Sequence, residues 1–75
     1  MSRPVKRSFT IAGHRTSISL ETAFWEALKD AAAKEHIAVA KLIARIDQGR
    51  GSGGLSSAVR VWILEHYRGA RPSQD

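Results

Sequence analysis

The sequence contains no cysteine, and this absence excludes disulfide bonds, thiolate metal sites and cysteine nucleophiles at once. Long apolar runs are also missing, because no stretch approaches the roughly 18 residues of a membrane span. Residues 1–4 lead into no apolar core of a signal peptide, so we expect a cytoplasmic protein. At 75 residues there is room for one domain, whose single core supplies about 3–5 kcal/mol. We therefore expect a small domain that needs a second copy of itself for stability.

Acidic residues are absent from the first 20 positions, which carry +4 of the net charge of +5. Residues 21–48 carry a net charge of −1, so the basic character is concentrated at one end of the chain. Such a concentration is typical of a surface that contacts nucleic acid. The alternative at this point is a solvated basic arm with no partner.

Arrangements that could support catalysis are lacking as well. His14, His36 and His66 are scattered at no metal-ligand spacing, so we expect neither a metal nor a cofactor. Residues 49–54 satisfy G-x-G-x-x-G, but the dinucleotide fingerprint requires a preceding strand and a βαβ unit. We interpret these residues as a flexible loop. No Ser/His/acid arrangement is readable, and a chain of this size cannot form a deep cleft, so we do not expect an enzyme.

Alternation with a period of two marks the segment from Ser8 to Leu20. Near its start the apolar residues Phe9 and Ile11 alternate with polar ones, and residues 12–14 indicate a turn. After the turn, one face of a strand carries Thr16, Ile18 and Leu20, and the opposite face carries Arg15, Ser17 and Ser19. Because a strand needs a partner for its backbone groups, we expect this strand to pair with its twin in a dimer. An additional hairpin from Ser8 to Leu20, in which Phe9 and Ile11 also pair with this strand, would widen the sheet or cover its ends.

Helical periodicity follows in three segments. We predict helices over about 22–35, with Thr22 as N-cap, over about 38–48, and from 56 or 57 to about 68. The last helix is apolar nearly all round, which favours burial against a second copy; its apolar residues are Ala58, Val59, Val61, Trp62, Ile63 and Leu64. Three aromatic side chains, Trp25, Trp62 and Tyr67, could stack on bases, but their place on apolar faces favours the core.

Two stretches of the chain resemble ribbon-helix-helix DNA-binding proteins. His-Arg-Thr-Ser-Ile-Ser-Leu-Glu at 14–21, followed by the amphipathic helix Phe24–Leu28, is similar to the opening of that domain. Leu-Ser-Ser-Ala at 55–58, leading to Leu-Glu-His-Tyr at 64–67, is similar to its second helix. The resemblance implies a mainly α homodimer with a short intermolecular two-stranded antiparallel ribbon and, in this chain, three helices per copy.

The resemblance also implies where DNA is contacted. It maps base reading onto Arg15, Ser17 and Ser19. It maps phosphate anchoring onto the start of the last helix, where free N–H groups and the helix dipole favour an anion, at Gly54, Leu55, Ser56 and Ser57. We add Lys6, Arg7 and Arg50 as further phosphate contacts. The expected dimer core consists of Ile18, Leu20, Phe24, Leu28, Val59, Trp62 and Ile63.

The expected organisation is a flexible basic arm (1–7), a ribbon-helix-helix domain (8–68) and a short disordered tail (69–75). The domain departs from the family pattern, which joins its two helices by a tight turn, because residues 36–54 intervene. Either this segment is an insert, or 38–48 is the true second helix and 55–68 an appendage. We favour the insert, since residues 37–40 lack the Gly-Leu-Ser-Ser start found at 54–57.

These features favour a sequence-specific double-stranded DNA-binding regulator of transcription, most simply a repressor. One alternative is an antitoxin, for which the helix at 38–48 would contact the toxin. A second alternative is a dimerisation module for protein interactions with no nucleic-acid role. A basic amphipathic membrane binder is the least supported, because the basic residues do not share one helical face.

Overall fold

The computed structural model describes residues 3–69 and contains two strands followed by three helices. These are β1 (Val5–Ile11), β2 (His14–Leu20), α1 (Thr22–Lys34), α2 (Val39–Gly49) and α3 (Leu55–Gly69). The prediction of a mainly helical chain with a short antiparallel ribbon is confirmed. Most of the segment predicted as a disordered tail lies outside the described residues.

β1 and β2 form an antiparallel hairpin whose register runs from the pair Val5–Leu20 to the pair Ile11–His14. The connecting residues Ala12 and Gly13 have positive φ angles of 51° and 82°, which is the geometry of a type I′ turn. β2 therefore has a strand partner, β1, within its own chain, which the sequence pattern left open beside the expected pairing with a twin strand. The hairpin also includes residues 5–7, which the sequence assigned to the arm.

Helix boundaries lie within one or two residues of the prediction, but their caps differ. The N-cap of α1 is Glu21, which makes no side-chain capping bond, so the assignment of Thr22 as N-cap was wrong. At the other end, His36 adopts a left-handed conformation with φ 57°. The N–H of Ile37 then donates to the carbonyl of Ala32 at 3.1 Å and closes the helix end.

The hydrophobic core lies between the inner face of the hairpin and the three helices. Five residues predicted for a dimer core are buried within the single chain, namely Ile18, Leu20, Leu28, Val59 and Ile63. The other two, Phe24 and Trp62, are half-buried. These residues pack with α2, whose Leu42 and Ile43 are fully buried in the same cluster. The segment predicted as an insert thus supplies part of the packing that the sequence pattern assigned to a twin.

Trp25 connects the core to the first strand. Its ring is buried and packs against Phe9, with ring centroids 5.8 Å apart. Its Nε1–H donates to the carbonyl of Val5 at 2.9 Å, which satisfies the indole where it is removed from water. For Trp25 the preference for the core over base stacking is therefore correct.

The outer side of α3 is not covered by the rest of the described chain. Val61, Leu64 and Tyr67 are 51%, 54% and 38% exposed, and they recur at three-residue intervals along one stripe of the helix. No helix among residues 3–69 is long and apolar enough to cross a membrane.

Candidate nucleic-acid interface

The outer face of the hairpin is polar and basic. Three cross-strand pairs form it: Lys6 with Ser19, Ser8 with Ser17, and Thr10 with Arg15. All six side chains are exposed except that of Ser19, which is half-buried. The hydroxyls of Ser8 and Ser17 lie 3.5 Å apart across the ribbon. Because neither strand contains an acidic residue, this face carries only positive charge.

The inner face of the same hairpin points to the helices, and it includes Arg7. Arg7 alternates with Lys6, so it lies on the face opposite to the polar face. Its guanidinium carbon lies 5.3 Å from the centre of the Trp25 ring, within cation–π distance. The structure therefore separates two residues that the sequence pattern grouped as phosphate contacts.

The start of α3 is attached to the end of β2. The backbone N–H of Ser19 donates to the Ser56 hydroxyl at 3.0 Å. The Arg60 guanidinium donates to the Ser19 carbonyl at 3.2 Å and to the Glu21 carboxylate at 3.0 Å. The first turn of α3, with its open N–H groups at residues 55–57, thus lies directly beside the polar ribbon face.

The ion pair between Arg60 and Glu21 holds this junction together. The pKa of Glu21 is held below its ordinary value of 4.5, first by a hydrogen bond to its own backbone and then by the Arg60 guanidinium. A carboxyl group with a lowered folded-state pKa stabilises the fold at pH values above its ordinary pKa. That contribution is lost as the pH falls through the lowered value.

We expect Glu21→Gln to reduce the loss of thermal stability on acidification. The amide cannot titrate, so the share of the pH dependence that comes from the Arg60–Glu21 pair disappears in this variant. Thermal unfolding followed by circular dichroism at neutral and acidic pH measures the difference. Glu65→Gln, which removes the same charge from the exposed side of α3, is the control and should retain the wild-type pH dependence. An unchanged pH dependence in Glu21→Gln contradicts the assignment.

The glycine-rich loop between α2 and α3 is organised by Arg50. Its guanidinium donates to the Asp47 carboxylate and to the Gly53 carbonyl. An open groove of about 510 Å³ lies between this loop and α3, with Arg45, Trp62 and Glu65 among its lining residues. Arg50 therefore has partners within the chain, which leaves less of its guanidinium for a phosphate. The interpretation of the G-x-G-x-x-G match as a loop agrees with the helix that precedes it.

The structure brings most of the predicted DNA-contacting residues to one side of the molecule. Arg15, Ser17, Ser19 and Lys6 share the polar ribbon face, and residues 54–57 adjoin it through the bond between Ser19 and Ser56. Arg7 lies on the opposite face of the hairpin, and Arg50 contacts Asp47 and Gly53 of the loop before α3. Residues 3–69 contain no cluster of three or more His, Asp or Glu side chains that could hold a metal ion.

Two residues of this face, Ser8 and Thr10, were missed as candidates. Their alternation with Phe9 and Ile11 was visible in the sequence and placed them on the face opposite to the apolar side. What was not visible is that this strand pairs with β2, which puts its polar side next to Ser17 and Arg15.

The chain is a small domain in which a ribbon of two short antiparallel strands packs on three helices. A family model described as "Ribbon-helix-helix domain" matches residues 4–67. The chain belongs to the ribbon-helix-helix family, as the resemblance implied. No curated protein and no solved structure was found to match it. Members of the family are generally DNA-binding regulators of transcription or antitoxins, generally bind DNA as dimers, and are not typically enzymes.

Proposed function

We propose that this protein is a sequence-specific double-stranded DNA-binding regulator of transcription that acts as a homodimeric repressor. The observation that supports this most strongly is the polar, acid-free ribbon face with the start of α3 beside it. A two-stranded ribbon fits the major groove of B-form DNA, and arginine can hold a guanine edge with two hydrogen bonds. A bound repressor acts by occupying its site, and no catalytic group is needed for that.

Base reading is proposed for Arg15, Ser17 and Ser19. The side chain of Ser19 is half-buried beside α3, whereas the other two are exposed. Phosphate contacts are proposed for Lys6 and for the amide groups at the start of α3, from Gly54 to Ser57. Arginine, lysine and helix N-termini are the groups that bind backbone phosphates in such complexes. Arg7 and Arg50 are also proposed to contact phosphates, although each already contacts a group of its own chain.

The second copy is proposed to dock on the exposed apolar stripe of α3. Val61, Leu64 and Tyr67 form, with Phe24 of α1, a shallow groove of about 350 Å³. Exposed apolar side chains grouped in this way are typical of interaction surfaces. A twofold axis at this stripe pairs each side chain with the same patch of its twin, and it predicts palindromic or repeated half-sites.

We expect Arg15→Ala and Lys6→Ala to change DNA binding in different ways. Loss of a base contact costs about 1–3 kcal/mol on the cognate duplex and relaxes specificity, whereas loss of a phosphate contact weakens binding to all sequences alike. Lys6→Ala should also lower the slope of log affinity against log salt by about 1. The measurement is a binding titration at several salt concentrations, with a duplex selected from a random library and with a scrambled duplex.

The matched control is Lys34→Ala, which removes one positive charge at the far end of α1 and leaves the ribbon intact. It should keep both the specificity and the salt slope of the wild type. Equal losses on the selected and the scrambled duplex for Arg15→Ala would rule out a base-reading role. If the wild type binds no duplex even at low salt, the dimerisation module without a nucleic-acid role becomes the better explanation.

The antitoxin alternative depended on α2 as the toxin-binding element. The apolar residues of this helix, Leu42, Ile43 and Ile46, are buried in the core of their own chain. A toxin would therefore have to bind the polar side of α2, which gives this alternative no observation in its favour. Co-purification of a stoichiometric partner protein is the result that would revive it.

A further inference from the structure

The groove between the glycine-rich loop and α3, here called the loop groove, has the size of a small-molecule site. Its volume is about 510 Å³, and pockets for small molecules measure about 300–1,000 Å³. The end of α2 contributes Arg45 and Ile46 to its lining, and α3 contributes Val61, Trp62 and Glu65. Apolar walls with a few charged groups are the usual lining of a ligand pocket.

The glycines of the loop are not explained by the fold. Gly49, Gly51, Gly53 and Gly54 all line the loop groove. None of them has a positive φ, and a Cβ placed on any of them would meet no atom within 4 Å. Neither backbone conformation nor crowding within the described chain therefore requires glycine at these positions. Glycine is also used where a ligand approaches the backbone closely, and four glycines beside one groove leave room for such an approach.

Charges of both signs border the loop groove. Arg45 donates to Glu35, and Arg50 donates to Asp47 and to a loop carbonyl. Each guanidinium retains further N–H donors beyond these bonds. Glu65 is exposed on α3, and within residues 3–69 it forms no ion pair. A ligand with both a carboxylate and an ammonium group is therefore complementary to the charges of this lining.

An aromatic side chain completes the lining. Trp62 is half-buried, and the His66 ring stacks on it with centroids 4.8 Å apart and an interplanar angle of 11°. This stack holds the indole in one orientation. Because aromatic rings pair favourably with one another, an indole in the lining favours a ligand that carries a ring of its own.

We infer that the loop groove binds a free α-amino acid with an aromatic side chain, and that this ligand is an effector that weakens DNA binding. The arginines hold its carboxylate, Glu65 holds its ammonium group, and its ring packs on Trp62. Gly54 and Ser57 line the same groove and are proposed phosphate contacts, so the ligand and DNA compete for them. The effect on DNA rests on the proposed function, whereas ligand binding does not.

Nuclear magnetic resonance titration with L-phenylalanine tests the site. The chain has two tryptophans, of which Trp62 lines the loop groove and Trp25 is buried against Phe9. We expect the Trp62 indole N–H signal, identified by its loss in Trp62→Phe, to shift saturably while the Trp25 signal stays in place. Phenylacetate lacks the ammonium group and phenethylamine lacks the carboxylate, so each should bind at least about 10-fold more weakly.

Charge variants assign the two ends of the ligand. Glu65→Gln should weaken phenylalanine about 3- to 10-fold without weakening phenylacetate, and Arg45→Gln should weaken phenylalanine without weakening phenethylamine. Glu26→Gln, the same change on an exposed side of α1, is the control and should alter none of these affinities. No saturable shift at about 10 mM L-phenylalanine, or equal affinities for the three compounds, overturns the inference. A Trp62 signal that moves on dilution without ligand also overturns it, because a second copy then occupies the groove.

A DNA titration tests the effector role. Saturating L-phenylalanine should lower the affinity of the wild type for the selected duplex at least about 10-fold, and the same concentration should have a smaller effect on Glu65→Gln. If phenylalanine binds and the DNA affinity is unchanged or higher, the effector role is wrong. If the wild type binds no duplex even without phenylalanine, the proposed function fails, and the resonance titration still decides whether the ligand site exists.

Discussion

Leu28→Ala is expected to unfold most of the protein at room temperature. The Leu28 side chain is fully buried among β2, α1, α2 and α3. Truncation of a buried leucine to alanine costs about 2–5 kcal/mol, through lost transfer free energy and the cavity left behind. A single core of this size supplies only about 3–5 kcal/mol in total, so the loss is comparable to the whole stability.

Urea unfolding measures this loss through the fluorescence of the buried Trp25 and through far-ultraviolet circular dichroism. Wild type and variant must be compared at one protein concentration, because dimerisation adds a concentration-dependent contribution to apparent stability. Lys29→Ala, the exposed neighbour on α1, is the control and should change the free energy of unfolding by less than about 0.5 kcal/mol. A loss below about 1 kcal/mol for Leu28→Ala would mean that the site collapses or that the core is not the one described.

Leu64→Glu is expected to convert the proposed dimer into monomers. Leu64 is 54% exposed in the single chain, so the fold of each copy should survive the change. In an interface with twofold symmetry the substitution occurs twice, and it places two carboxylates in a site where water is excluded. The cost of burying unpaired charge predicts a rise in the dimer dissociation constant of at least about 100-fold.

Sedimentation equilibrium, with circular dichroism as a check on folding, measures this change. Lys34→Glu introduces the same residue on an exposed side of α1 and should leave the mass of the assembly unchanged. A folded Leu64→Glu protein that still sediments as a dimer places the interface elsewhere. If the wild type is itself a monomer, the proposed dimer and the prediction of paired half-sites are both wrong.

The local elements of this fold were predictable from the sequence, whereas the choice of partners was not. Alternation over Ser8–Leu20 predicted the correct faces of both strands, and glycine-rich residues 49–54 predicted the end of α2. Alternation assigns a residue to a face, but it does not identify the strand that lies beside it. The pattern indicated a turn at residues 12–14, but it did not decide between pairing with a twin strand and pairing with the strand before the turn.

The same limit applies to the core and to the junction between β2 and α3. Helical periodicity marked Val59 and Ile63 as buried, but it could not tell whether α2 or a twin covers them. The ion pair between Glu21 and Arg60 joins residues 39 positions apart, and no local pattern relates them. Ser56 was predicted from the resemblance as a phosphate contact. Its hydroxyl accepts the N–H of Ser19, which places the start of α3 beside the ribbon.

The turn at Ala12 and Gly13 also bears on how the protein folds. Two strands joined by two residues meet at little cost in loop-closure entropy, and isolated hairpins form in about 1–10 μs. A ribbon shared between two chains would instead form in a bimolecular step, whose rate falls with dilution. The hairpin of β1 and β2 can therefore form on a newly made chain before any second copy is encountered.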